Sequence, residues 1–284
     1  MNGFPSPQLS WNVVADVRAL LEYQFMVQAF RAGLIVAVLA GIVGWFMVLR
    51  RQSFAGHTLA LVGFPGATAA VLLGVSATYG FFGMSLGAAI VISALPAAGQ
   101  APRGSETAVV GTVQAIALAF GFLCYSWYGG FATSIDSLLF GSFLGITSEQ
   151  VLILAAVSIA ALAVLAVIGR PLFFATVDPD VAAAHGIRVR SLGATYLIIL
   201  GLTAGAVSQI TGALLVFALL VAPAAAAQRI STRPDISLAW SVGLALFIIT
   251  SGLSLSYFYP YPLGTFVTTI ALLTYLSVRL VKRR

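Results

Sequence analysis

The feature that most restricts this chain is a succession of apolar runs, each about as long as a bilayer is thick. A helix needs about 20 apolar residues to cross the hydrocarbon core. On that scale the sequence offers spans at 26–49, 58–76, 81–98, 107–128, 151–174, 192–209, 211–228, 236–256 and 262–280. A membrane barrel would instead show segments of about 10 residues alternating apolar and polar. The predicted fold is therefore all-α, a polytopic helical membrane protein with about nine spans, eight being the other admissible count. The pair between 192 and 228 is cramped, and reads as broken helices or as one long helix and a shorter one. Only 8% of residues are Asp, Glu, Lys or Arg, where soluble domains carry about a quarter. A soluble exterior cannot be built from so few charges.

Nine spans put the two termini on opposite sides of the membrane. Twelve cations, Arg50, Arg51, Arg103, Arg170, Arg188, Arg190, Arg229, Arg233, Arg279, Lys282, Arg283 and Arg284, then fall on the C-terminal side, against Arg18 and Arg31 on the other. Cytoplasmic loops carry the excess of basic residues, so the N-terminus is expected outside and the C-terminus in the cytoplasm. Trp127, Tyr128, Tyr257, Phe258, Tyr259 and Tyr261 cluster at predicted outer ends, where amphipathic rings favour the interface. The net charge of +6 is scattered in ones, twos and threes, without the stripe a nucleic-acid surface requires. Residues 1–25 lack a basic leader, and Asp16 and Glu22 interrupt any apolar stretch, so they do not read as a signal peptide. They read as an amphipathic interfacial segment, with Leu9, Val13, Val17 and Leu20 or Leu21 on one face, or as a frayed tail. Residues 26–284 form the membrane domain.

Little catalytic chemistry is available. A phosphate-binding P-loop needs a lysine after a glycine-rich turn, and the only lysine, Lys282, is not in one. Energy must come from a partner or an ion gradient. Charges inside spans are costly and usually functional, and none lies in mid-span. Asp136 and Glu149 flank Leu138–Gly141 on the outer side, and Gln209 and Thr211 sit between the two cramped spans. His57, at the inner start of the second span, has no acidic, His or Cys neighbour within a turn or two. A lone histidine there is more often interfacial or hydrogen-bonded than a metal ligand. Pro65 and Pro223 break spans, which lipid tolerates only against protein or a water-filled path. They read equally as pathway walls or as ordinary kinks. Gly83/Gly87, Gly141/Gly145 and Gly201/Gly205 are small-xxx-small pairs suited to close helix contact. Cys124 is the sole cysteine and excludes an internal disulfide.

Between the fifth and sixth spans, residues 177–190 predict a short cytoplasmic helix. Asp178 suits the N-cap, Pro179 the first helical position and Gly186 the C-terminal cap. Such a helix is a docking element for a partner or a solvated connection.

Several segments resemble one family. Met26–Gly33, Val48–Arg51, Ser53–Gly56 leading to Gly63–Gly66, Leu139–Ser142, the Asp178–Gly186 loop and Thr211–Ala225 are similar, in order, to motifs of the metal-permease family of ABC importers that carry zinc, manganese or iron. The resemblance covers nearly the whole chain. It implies a homodimeric permease in the cell membrane and two copies of a cytoplasmic ATP-binding subunit that contacts Asp178, Pro179, Asp180 and Gly186. It also implies an extracytoplasmic metal-binding protein, alternating access driven by ATP, and no tightly bound cofactor. The family commonly has a Gly-Asp-x-x-x-His pattern in the second span, both ligands on one helix face. Here Gly56 is followed by His57, and the second ligand position is Leu61. With a ligand lost, either few protein groups meet the metal, or Asp136 or Gln209 contribute, or the cargo is not a bare ion. One imidazole without a carboxylate leans toward zinc over manganese. The alternative is a gradient-driven secondary transporter, but the inverted repeats common in such carriers are not evident.

Overall fold

In a computed structural model, the structure describes residues 20, 22–94, 105–127, 145–212, 216–259 and 261–281, with the side chains of 105–107 and 209–211 left out. Every regular element among them is a helix: α1 (Gln24–Leu49), α2 (Ser53–Leu72), α3 (Ala77–Ala94), α4 (Ser105–Trp127), α5 (Ser148–Val177), α6 (Pro179–Ala184), α7 (Val189–Thr211), α8 (Val216–Ile230), α9 (Pro234–Phe258) and α10 (Leu263–Val281). Eight of these are long and apolar enough to cross a membrane. The ninth apolar helix, α8, has 15 residues. At 1.5 Å per residue it spans about 22 Å, short of a core about 30 Å thick. The cramped pair is thus one long helix, α7, and one short one, separated after Gly212 (φ +79°).

Contacts at the helix ends show how the chain is threaded. Arg50 at the end of α1 reaches Thr176 at the end of α5. Trp45 reaches Ser237 at the start of α9, and Arg190 at the start of α7 reaches the Ala94 carbonyl at the end of α3. Arg229, ending α8, lies over the Tyr275 ring in α10. These contacts gather arginines from α1, α7 and α8 at one end of the bundle. At the other end Tyr23 meets Tyr257 and Gln28 donates to Ser148. With 30 residues α5 is the longest helix, about 45 Å against a core of about 30 Å. Its surplus length leads into α6, which rests on the bundle through the buried Ala182.

Inside a bilayer apolar burial drives no association, so packing depends on close backbone approach and on pairing polar groups. Both are evident here. A Cβ placed on Gly66 would strike the Gly80 carbonyl oxygen, and one on Gly80 would strike that of Gly66, so α2 and α3 touch backbone to backbone. Gly44 lets α1 rest on the Leu220 carbonyl of α8 in the same way. Gly201 abuts Ser85 and Gly205 abuts Phe82, packing α7 on α3, whereas Gly83, Gly87 and Gly145 meet nothing within 4 Å among the described residues. Gly83 and Gly87 sit on α3 away from its buried Ser85, Ala88 and Ala89, so the close helix contact their spacing suits is not made with any described residue of this chain. Gly141 lies outside the described residues.

Polar pins fix the register of the central helix. Ser241 Oγ donates to the Gly41 carbonyl at 2.7 Å, Tyr196 Oη to Val43 at 2.8 Å, and Gln228 Nε2 to Trp45 at 2.9 Å. Each contributes about 0.6 kcal/mol in a membrane interior, enough to choose a rotation but not to hold the bundle together. The most enclosed spans are α2 and α1, with 72% and 67% of their apolar windows buried, against 17% for α10. The core therefore runs along α1 and α2, and α4, α5 and α10 face outward.

Candidate functional site

The one histidine on the central pair is His57, in the second turn of α2. Gly56 before it lies against the Met47 sulfur of α1, so that a Cβ there would collide, and this close seating fixes where the next side chain projects. His57 is partly exposed, and its ring meets Phe217 of α8 edge-on at 5.4 Å between centroids. Its Nδ1 is buried and has no hydrogen-bond partner among the described residues. A buried imidazole nitrogen left unpaired is costly, and in the tautomer protonated at Nε2 its lone pair is open to a metal ion. Thr58, the next residue, is buried and donates to Gln114 Oε1 of α4 at 2.8 Å, which commits one lone pair of that oxygen. Leu61, one turn on from His57, is buried and offers no ligand atom.

Around this position no three His, Cys, Asp or Glu side chains converge among the described residues. The described side chains offer a divalent cation a single nitrogen, not a closed cage of about four ligands. Asp136 lies outside the described residues. Gln209 and Thr211 lie in the last turn of α7, their side chains outside the description.

The two prolines are buried within helices. Pro65 packs against Gly121 of α4, where a Cβ on the glycine would stand 2.8 Å from the ring. Thr68 Oγ1 lies 2.8 Å from the Pro65 carbonyl oxygen and 3.3 Å from that of Gly121, its one proton shared between them, tying α2 to α4 just beyond the proline. Pro223 is buried in α8, three residues beyond the Leu220 contact with α1.

At the arginine-rich end stands α6. Asp178 caps it by accepting from the Val181 amide at 3.0 Å, Pro179 occupies the first turn, and Gly186 follows at φ +79°. Ile187 N–H donates to Ala182 and Gly186 N–H to Ala183, the paired bonds of a Schellman motif. Only Ala182 of α6 is buried, and Phe174, Val177 and Val181 leave an exposed apolar strip beside it. A six-residue helix fixed at both ends and bare on most of its surface is suited to entering a groove on another protein.

In the sequence Arg50 counted toward orientation and toward the Val48–Arg51 motif, with no role of its own. The structure places it against Thr176, Gln52 and the Tyr196 ring. Its signal in the sequence was its place in Val48–Arg51, at the corner leading into the histidine-bearing span. Gln114 and Phe217 gave no signal, since each is an unexceptional residue until α4 and α8 are packed on α2.

Among the described residues, nine apolar helices built on an enclosed pair, with a short capped helix at one end, define a polytopic α-helical membrane protein. The chain belongs to the ABC 3 transport family, whose description it matches over residues 22–282. It is 26% identical over 252 residues to the manganese transport system membrane protein MntC of Halalkalibacterium halodurans, covering 89% of this chain and 85% of that one. It is 24% identical to the high-affinity zinc uptake system membrane protein ZnuB of Haemophilus influenzae, over 84% and 90% of the two chains. Among solved structures, PsaBC from Streptococcus pneumoniae in complex with Fab shares the fold, with a TM-score of 0.82 and 24% identity over 94% of this chain and 95% of that one. The chain is accordingly a multi-pass protein of the cell membrane.

Proposed function

We propose that this chain is the transmembrane subunit of an ATP-driven importer of divalent metal ions, zinc first and manganese or iron next. Two copies pair as a homodimer and work by alternating access. Two cytoplasmic ATP-binding subunits grip α6 through Asp178, Pro179, Asp180 and Gly186, and an extracytoplasmic metal-binding protein delivers the cargo. The observation that carries this reading is an uncommitted imidazole nitrogen on the most enclosed span of a chain whose family is one of transporters. The relatives named for manganese and zinc transport support the cargo class. A single borderline nitrogen without a carboxylate favours zinc over manganese. It also suits passage better than storage, because an ion held by few protein ligands leaves easily. Pro65, Gln209, Thr211 and Pro223 are assigned to the walls of the path, and Asp136 to its outer mouth.

The test is uptake by proteoliposomes holding the permease with its ATP-binding subunits. His57→Ala is expected to lower metal uptake about tenfold or more, the scale on which metal sites respond to lost partners, while the complex still assembles. Uptake equal to the parent's across metal concentrations would remove His57 from the path.

A further inference from the structure

The structure assigns a role to Arg50: we infer that it is the positioning residue through which movement of α6 reaches α2. This rests on the reading of α6 as the helix gripped by an ATP-binding subunit.

Arg50 is a partly buried residue at the end of α1, touching α5, α7 and the residue that leads into α2. Its Nη1 donates to Thr176 Oγ1 of α5 at 3.0 Å, and its Nε donates to Gln52 Oε1 at 3.2 Å. Its guanidinium carbon lies 5.4 Å from the centre of the Tyr196 ring of α7. The Thr176 hydroxyl is already donating to the Leu172 carbonyl at 2.6 Å. A hydroxyl has one proton, so its oxygen faces Arg50 purely as an acceptor and the chain of bonds has one direction, Arg50 to Thr176 to Leu172. Thr176 is two residues before Asp178, the cap of α6. Gln52 is the residue before α2, five before His57. A single planar side chain therefore joins the root of α6 to the root of the histidine-bearing span.

Two further features make this link the carrier of movement. A cavity of about 720 Å³ lies beneath α6, with Asp180 and Ala183 on one wall and Val189, Arg190 and Gly193 of α7 on another. On that side α6 faces open space, so displacement of α6 is passed on by the end of α5 more than by direct packing on α7. The corner that receives it is stiff. Arg51 is held at φ +58°, and Gln52 N–H donates to Met47 and Arg51 N–H to Val48, closing α1 with a full cap. A corner closed in this way turns as one piece with the start of α2. Arginine suits the task better than lysine, because its fork holds two acceptors and a ring face together.

The readout is metal ions moved per ATP hydrolysed by the permease complex in liposomes, together with the mobility of a nitroxide at exposed Phe54 with and without nucleotide. Thr176→Val keeps side-chain shape and leaves Arg50 in place. It is expected to cut the ratio about tenfold, retain ATP hydrolysis, and abolish the nucleotide response of the probe. Thr176→Ser restores both, and Arg50→Lys does not. An unchanged ratio with an unchanged probe response in Thr176→Val overturns the inference, and so does a fall in uptake and hydrolysis together at constant ratio. If the unsubstituted complex moves no metal, the transport reading fails, and the probe alone still decides the link: a response equal in Thr176→Val and its parent refutes it.

Discussion

At the scale of single residues, Arg51 stands where helices that end in a left-handed residue usually place glycine. A non-glycine side chain in the left-handed region costs roughly 1–2 kcal/mol, and the Arg51 φ of +58° lies in that region. Removing the side chain relieves the strain while leaving the backbone bonds that close α1. Arg51→Gly is therefore expected to raise the thermal midpoint of the detergent-solubilised protein, by the equivalent of about 1 kcal/mol. A lowered midpoint would mean that the side chain makes contacts outweighing its strain. The neighbouring Gly56 is constrained by space rather than by dihedral, since Met47 of α1 occupies the position a Cβ would take.

Among the elements, α6 was the most legible. Its N-cap Asp178, first-turn Pro179 and terminal Gly186 could be read from residue types alone, because a cap is a local arrangement that needs no distant partner. The spans were legible for a similar reason, being set by length and apolarity. Their starts were less so: α2 begins at Ser53, five residues before the apolar run, because a helix start in the interface tolerates Ser53 and His57. The surroundings of His57 were not legible at all. Phe217 and Gln114 are distant in sequence, and the register that brings them to α2 is set by glycine contacts and hydroxyl pins whose partners no periodicity reveals. Gly83 and Gly87 show the converse, a small-xxx-small pair that meets nothing among the described residues of its own chain. For α6 the expectation concerns its partner. Asp178→Arg removes the cap, worth about 1 kcal/mol, and reverses a charge at the proposed grip. Association with the ATP-binding subunit, followed by co-purification, is expected to fall; undiminished association and transport would count against the docking role.

Taken whole, the molecule has two unlike ends. Arginines from α1, α7 and α8 meet at one, and Tyr23, Tyr257, Tyr259 and Tyr261 gather at the other. Reading the arginine-rich end as cytoplasmic predicts the side to which the end of α10 is exposed. With Cys124 replaced by serine, Val281→Cys, at an exposed position, is expected to react with an impermeant maleimide only in inside-out vesicles. Labelling in right-side-out vesicles would invert the proposed topology. The outward faces of α4, α5 and α10 are open to lipid or to the proposed second copy, while α1 and α2 are already enclosed within one chain. The central claim is that this bundle moves a divalent metal using a partner's ATP. Its most direct test is a metal-by-metal uptake assay of the reconstituted complex. Uptake of zinc, or of manganese or iron, is predicted only with the ATP-binding subunits and ATP present. Uptake that persists without any ATP-binding subunit and collapses with a proton ionophore would contradict the account.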